Sequence, residues 1–239
     1  MTISDMHYDF KQKLNKIDSE QYRNLRIPEI DWLLNEAQLI FVKNIAQPRV
    51  VQHTGFEISQ RSIDDIRTIV IEDKILNKLS EDNKYSVFEL PEDYLFYIST
   101  KVKISKNGCG SKEVQTIVRQ HDDLFEQSKF DNSSFEWGEV NITFDSRGLK
   151  VYTDGTFTID ELKINYIKQP MYIHNANEFK PTSQYKLPNG ILLVGQQNSE
   201  LPNHTHNEIV DIAVYIATNN LDMPNMQFKQ AKLQLNQMI

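Results

Sequence analysis

The chain is poor in cysteine, glycine and long apolar runs. Its 239 residues include one cysteine, Cys109, with 8 glycines, 8 prolines and 2 tryptophans. A single thiol excludes an internal disulfide and a cysteine-based zinc cluster, and fits a reducing compartment. Cys109 lies in KNGCGS, a turn between two strand-like runs, with no partner base visible in the sequence. The longest apolar stretches, such as IVDIAVYIA from Ile209, reach about half of the roughly 20 residues a bilayer requires, and this one contains an acid. The start, MTISDMHYDF, has neither the basic residues nor the apolar run of a secretory signal. No membrane partner and folding in the cytoplasm are therefore expected.

Catalytic signatures are missing as well. Neither G-x-x-x-x-G-K-[ST] nor G-x-G-x-x-G occurs, and G-x-S-x-G and H-E-x-x-H are absent. The adjacent acids Asp64-Asp65, Glu92-Asp93 and Asp122-Asp123 sit at helix or turn starts, where they complement the backbone dipole rather than form an acid/base pair. No catalytic residue, cofactor or metal ligand is assigned. With 33 acidic against 26 basic residues, a net charge of −7 and no Lys/Arg run, tight nucleic-acid binding is disfavoured. Nor do the aromatics interleave with basic residues into a base-stacking platform.

What remains is an ordinary globular composition, 39% hydrophobic and 25% charged, long enough to bury about 70 to 75% of its extended surface. Ile3, Met6, Phe10, Leu14 and Ile17 step by three or four behind Thr2 and Asp5, predicting an amphipathic helix over residues 3 to 17. A second helix starts at Pro28 and runs to Pro48, with Ile30, Leu33, Leu34, Ala37, Phe41 and Ile45 on its core stripe and Trp32 beside it. The short connection from Asp18 to Ile27 makes the two antiparallel neighbours. Near the other end, Thr205 and Glu208 have capping-box spacing, so a helix starts near His206 and buries Ile209, Ile212, Ala213, Ile216 and Ala217. A last short helix fits 226 to 237. His204 and His206 stand at the mouth of the stripe, near Glu208 and Asp211. They are open to two readings, metal ligands, or one ring packed at the cap with the other solvated or in a subunit contact; the second is preferred because a structural zinc site gathers four ligands and a catalytic one three with water.

Between these helices the period changes from 3.6 to 2. Phe96, Ile98, Thr100, Val102 and Ile104 alternate with polar positions, as do Val140, Ile142 and Phe144. Residues 149 to 152 and 157 to 159 flank Asp154-Gly155, the signal for a tight hairpin, and Leu162, Ile164 and Tyr166 form a strand stopped by Pro170. LPEDY, 90 to 94, reads as a rigid corner that hands the chain to a strand, and Trp137 precedes Gly138 at a strand entrance. Short helices fit Ser62 to Thr68 and the region of Asp122. The fold class is α+β: an N-terminal helical pair (1 to 48) and a C-terminal helix with its tail (202 to 239) pack together beside an antiparallel, β-rich middle (49 to 201), in one protein without repeats or low-complexity linkers.

Five segments carry a resemblance. MTISDMHYDFKQKLNKI, PEIDWLLNEAQLIFVK, LPEDY, INYIKQP and PNHTHNEIVDIAV, in this order and spacing, resemble head-to-tail connector, or ring, proteins of short-tailed bacteriophages, particularly crAss-like phages. Together they cover about a third of the chain. Two places depart from the pattern: Lys168-Gln169 stands where a basic pair is expected before Pro170, and Ala46-Gln47-Pro48 where a basic helix end is expected. The resemblance implies a non-enzymatic virion protein, assembled in the bacterial host cytoplasm, forming a homo-oligomeric ring of about twelve copies. Its implied partners are the portal above, neighbouring tail rings below, and genomic DNA sliding through an acidic lumen without being held. Met6, Phe10, Trp32, Phe41, Tyr94, Trp137, His204 and His206 are the candidate interface residues. The competing expectations are another tail component, a tube or fibre adaptor, and a glycan-acting enzyme using scattered acids or the two histidines.

Overall fold

A computed structural model describes residues 1–15, 25–46, 64–119, 131–176 and 184–220. The protein is of the α+β class and divides into two compact units: residues 70–169, and residues 1–69 together with 170–239. The first is inserted into the second, with the chain crossing between them at 69/70 and 169/170.

The inserted unit is one eight-stranded sheet. Its strands are β1 (Val70–Ile75), β2 (Lys78–Glu81), β3 (Tyr85–Phe88), β4 (Tyr94–Lys106), β5 (Gly110–Val118), β6 (Val140–Asp145), β7 (Gly148–Tyr152) and β8 (Thr158–Lys168). They lie in the order β1-β8-β4-β5-β6-β7-β3-β2, antiparallel except for the parallel pair β5–β6. The outermost strands β1 and β2 are joined only by Leu76 and Asn77, a link that spans about 10 Å at most. The two edges must therefore meet, and the sheet curls on itself. The link is tied to both sides: Leu76 N–H donates to Leu162 O at 3.0 Å, and Asn77 O accepts from Glu89 N–H at 2.9 Å. Inside lie Val102, Ile104, Val140, Ile142, Leu149, Val151, Leu162 and Ile164, all fully buried.

Two expectations change here. Asp154-Gly155 does not make a hairpin: β7 pairs with β6 and β3, while β8 pairs with β4 and β1. Thr153 Oγ1 donates to Phe157 O at 2.8 Å and Asp154 accepts from Thr156, so the turn is a corner that crosses the curled sheet. The tight connections are instead β6–β7, where Asp145 pairs with Gly148, and β4–β5. Ile98 does not face inward with Thr100, Val102 and Ile104 but is 46% exposed, because the β4–β8 register shifts between Tyr97 and Ser99.

Among the described residues the second unit holds three long helices, α1 (Ile3–Asn15), α2 (Ile27–Ala46) and α3 (His206–Asn220), and a small hairpin of β9 (Tyr185–Lys186) and β10 (Leu192–Leu193). Helix α1 is capped reciprocally: Thr2 N–H donates to Asp5 Oδ2 at 2.9 Å and Asp5 N–H to Thr2 Oγ1 at 3.3 Å. Its Ile3 N–H is taken by Asn198 Oδ1 at 2.8 Å. Helix α2 has half of the same device, Arg26 N–H to Glu29 Oε2 at 2.7 Å. Helix α3 starts where expected, after a 3-10 turn at Asn203–Thr205; the buried Thr205 donates its hydroxyl to Pro202 O at 2.9 Å. Both N-terminal helices pack on α3, and the three bury Ile3, Met6, Phe10 and Leu14, then Ile30, Leu33, Leu34, Ala37 and Phe41, then Ile209, Ile212, Ala213 and Ala217. The short helix expected from Ser62 is helical over 64–66 and continues as a 3-10 turn, Arg67–Ile69. Ile17, the connection after it and the helices expected near Asp122 and from 226 lie outside the described residues.

Candidate functional site

Polar side chains concentrate on one stripe of α2. Asp31, Asn35 and Gln38, at i, i+4 and i+7, share a face and are buried. They read the backbone of the extended segment 171–175 in the opposite direction. Gln38 Nε2 donates to Met171 O at 3.1 Å; Asn35 Nδ2 donates to Ile173 O at 2.7 Å and its Oδ1 accepts from Ile173 N–H at 2.9 Å; Asp31 accepts from Asn175 N–H at 3.2 Å. One helical turn and two residues of extended chain advance by similar distances, about 5.4 and 6.6 Å, which is why the ladder stays in step.

Asp31 is the centre of this cluster. With no exposure of its own, it accepts from His7 Nε2 at 2.6 Å and from the Tyr185 hydroxyl at 2.8 Å as well as from Asn175. A buried carboxylate is tolerable only with its lone pairs filled. Burial and the Asp31 charge push the Tyr185 phenol up, and burial does the same to Tyr172 beside it. The cluster thus holds α1, α2, segment 171–175 and the small hairpin together. Sequence reasoning passed over Asp31, His7, Asn35, Gln38 and Tyr185; the available signal was three polar residues at helical spacing within an apolar helix.

The two histidines at the start of α3 do different jobs. His206 is buried, with Nδ1 3.1 Å from Met1 O and Nε2 2.9 Å from Leu201 O. A neutral ring has one N–H for two carbonyls. Burial pushes the ring below the ordinary histidine value, against the pull of the Leu201 carbonyl. His204 has its side chain 50% exposed and its Nε2 2.7 Å from Asp65 Oδ1, a carboxylate itself mostly covered. The rings are engaged separately, and among the described residues no three His, Cys, Asp or Glu side chains gather as a metal site.

In the sheet unit, LPEDY and INYIKQP meet. The Asp93 carboxylate accepts from the Tyr166 hydroxyl at 2.9 Å, and Asp93 O accepts from Gln169 N–H at 2.6 Å. Tyr94 pairs with Lys168 and lays its ring 5.9 Å from that of Tyr166. Tyr94 N–H closes the corner on Pro91 O at 3.1 Å. Burial, with the Asp93 carboxylate second, raises the Tyr166 phenol to about 12.

Of the eight candidate interface residues, Met6, Phe10, Phe41 and His206 are core and offer a neighbour no side-chain surface. Tyr94 is half-buried in the aromatic corner. Trp32 (55% exposed), Trp137 (83%) and His204 remain accessible, joined by Tyr8 on α1 and by Ile191, Leu192 and Val194 on the hairpin. No helix among the described residues is long and apolar enough to cross a membrane. Set against models of known protein families and against curated proteins, the chain matches none.

Proposed function

We propose that this protein is a non-enzymatic structural component of a short-tailed phage virion, assembled in the bacterial cytoplasm. In this reading about twelve copies form a ring at the head-tail junction, below the portal and around the DNA exit channel. The observation that carries the reading is where the five resemblance segments go. LPEDY and INYIKQP clasp each other in the sheet unit through Asp93 and Tyr166. The first two segments meet through His7 and Asp31, and the first and last through Lys13, which lies 2.9 Å from Asp211, and through Met1 O and His206. Segments far apart in sequence are joint parts of two scaffolds, and their polar groups hold chain to chain.

A heterologous ring requires two different complementary surfaces on each subunit. Exposed Trp32 on the helical unit and Trp137 on the sheet unit are of the type that anchors such contacts. The helices α1 and α2 are assigned toward the portal and the sheet unit toward neighbours or the next ring. The acidic balance of each subunit, −7, gives a lumen that repels phosphate. Native mass spectrometry of the protein alone and with its portal, with negative-stain images, tests the assignment. Closed rings or a defined portal complex are expected; a monomer indifferent to the portal would sink the proposal. Location in the particle by microscopy separates this ring from a tail-tube or fibre adaptor.

A further inference from the structure

The sequence contains two Asn-Gly pairs, Asn107-Gly108 and Asn189-Gly190, and both are exposed at turns. Such pairs are open to self-modification, because glycine has no side chain to shield its amide nitrogen from the neighbouring Asn carbonyl carbon. Exposure does not separate the two sites, but hydrogen bonding does.

At Asn189 both reacting partners are held. Gly190 N–H donates to Leu187 O at 2.8 Å, and Asn189 Oδ1 accepts from Ile191 N–H at 3.1 Å. Leu187 N–H to Ile191 O at 2.9 Å closes the turn around them. Attack by the Gly190 nitrogen would break the first bond and swing the Asn189 amide out of the second. At Asn107 the turn is closed one residue later, by Cys109 N–H to Lys106 O at 3.0 Å. That bond leaves the Gly108 amide and the Asn107 side chain without a hydrogen bond among the described residues. Gly108 has φ +83, and nothing lies within 4 Å of where a Cβ would stand, so the tip has room to rearrange.

We infer that Asn107 is a site of spontaneous deamidation and that Asn189 is protected by its turn. The Gly108 nitrogen attacks Asn107 Cγ; the new N–C bond forms as the Cγ–Nδ2 bond breaks, and the Gly108 amide proton is relayed through solvent to the departing nitrogen, which leaves as ammonia. Water then opens the five-membered imide at either carbonyl, leaving aspartate or a backbone rerouted through the side-chain carboxyl. Both products place a carboxylate at the β4–β5 tip next to Lys106, and the rerouted one lengthens the turn by a methylene. Nothing here depends on the ring assignment.

The test is incubation of the native full-length protein in mildly alkaline buffer, with peptide mapping by mass spectrometry over time and a parallel sample in denaturant. Asn107 is expected to convert several-fold faster than Asn189 in the native protein, and the two are expected to converge in denaturant. Asn107→Gln, which cannot close the five-membered ring readily, removes the conversion at the tip. Equal native rates, a faster Asn189, or a difference that persists in denaturant would overturn the inference, the last because local sequence and not the fold would then be setting the rates.

Discussion

Asp31 satisfies His7, Tyr185 and the Asn175 amide at once. Asp31→Ala strands all three donors, and a loss of about 3 kcal/mol is expected in a denaturant titration. Asp31→Asn, which keeps the shape but puts an amide donor against existing donors, should recover little. Tyr166 gives a pH prediction. Its phenol is raised from 10 to about 12, so the fold favours the neutral form. That contribution is complete below pH 10 and is lost as pH rises through about 12. Ultraviolet titration of native protein should show late tyrosinate ionisation, with Tyr172 and Tyr185 also displaced upward, and Tyr166→Phe should remove one phenol from the part centred near pH 12. His206 runs the other way. Its folded value lies below 6.5, so its contribution is present above that pH and is lost as pH falls through the folded value. Wild type should lose more thermal stability on acidification than His206→Gln; equal losses would remove the histidine from the account.

Elements were legible to the extent that their own periodicity was used by the core. Most of the predicted stripe of each helix is buried, with Ile45 and Ile216 near the helix ends only half-buried, since a helix alone sets which residues share its face. Strands kept their positions but not their partners. The turn at Asp154-Gly155 has hairpin chemistry, yet it joins strands that never pair, because curling the sheet gave β7 and β8 other neighbours. Gly148 marks the real tight turn: at φ +139 any Cβ there would overlap the Phe88 carbonyl oxygen of β3. Gly148→Ala should cost several kcal/mol, about 3 or more, and broaden or abolish the cooperative melt of the sheet unit.

For the whole molecule the chain order is the telling fact. The sheet unit leaves and re-enters at residues that lie side by side, Val70 paired with Ile167, as an inserted unit should. Residues 70–169 expressed alone should therefore fold cooperatively with a strand-rich circular dichroism spectrum, while a chain ending at residue 69 should not, because α1 and α2 lack segment 171–175 and α3. If the connector reading holds, Trp32→Ala and Trp137→Ala should each leave the monomer's melting point near wild type and weaken ring or portal assembly by tenfold or more, about 1.4 kcal/mol or above. Thermal melting reads the first and analytical ultracentrifugation the second.

The amino-acid sequence by itself determined the class of the protein, the places of its three long helices and the buried stripe of each, because these follow from composition and from spacing along one continuous element. It also left Cys109 as the one thiol of the chain. Only the tertiary structure decided which strands pair, that an entire sheet is inserted within a helical unit, and that Asp31, His7 and Tyr185 share one buried site. Those outcomes depend on contacts between residues distant along the chain, 154 positions apart for Asp31 and Tyr185, whose favourable free energy exists only after the intervening chain has folded.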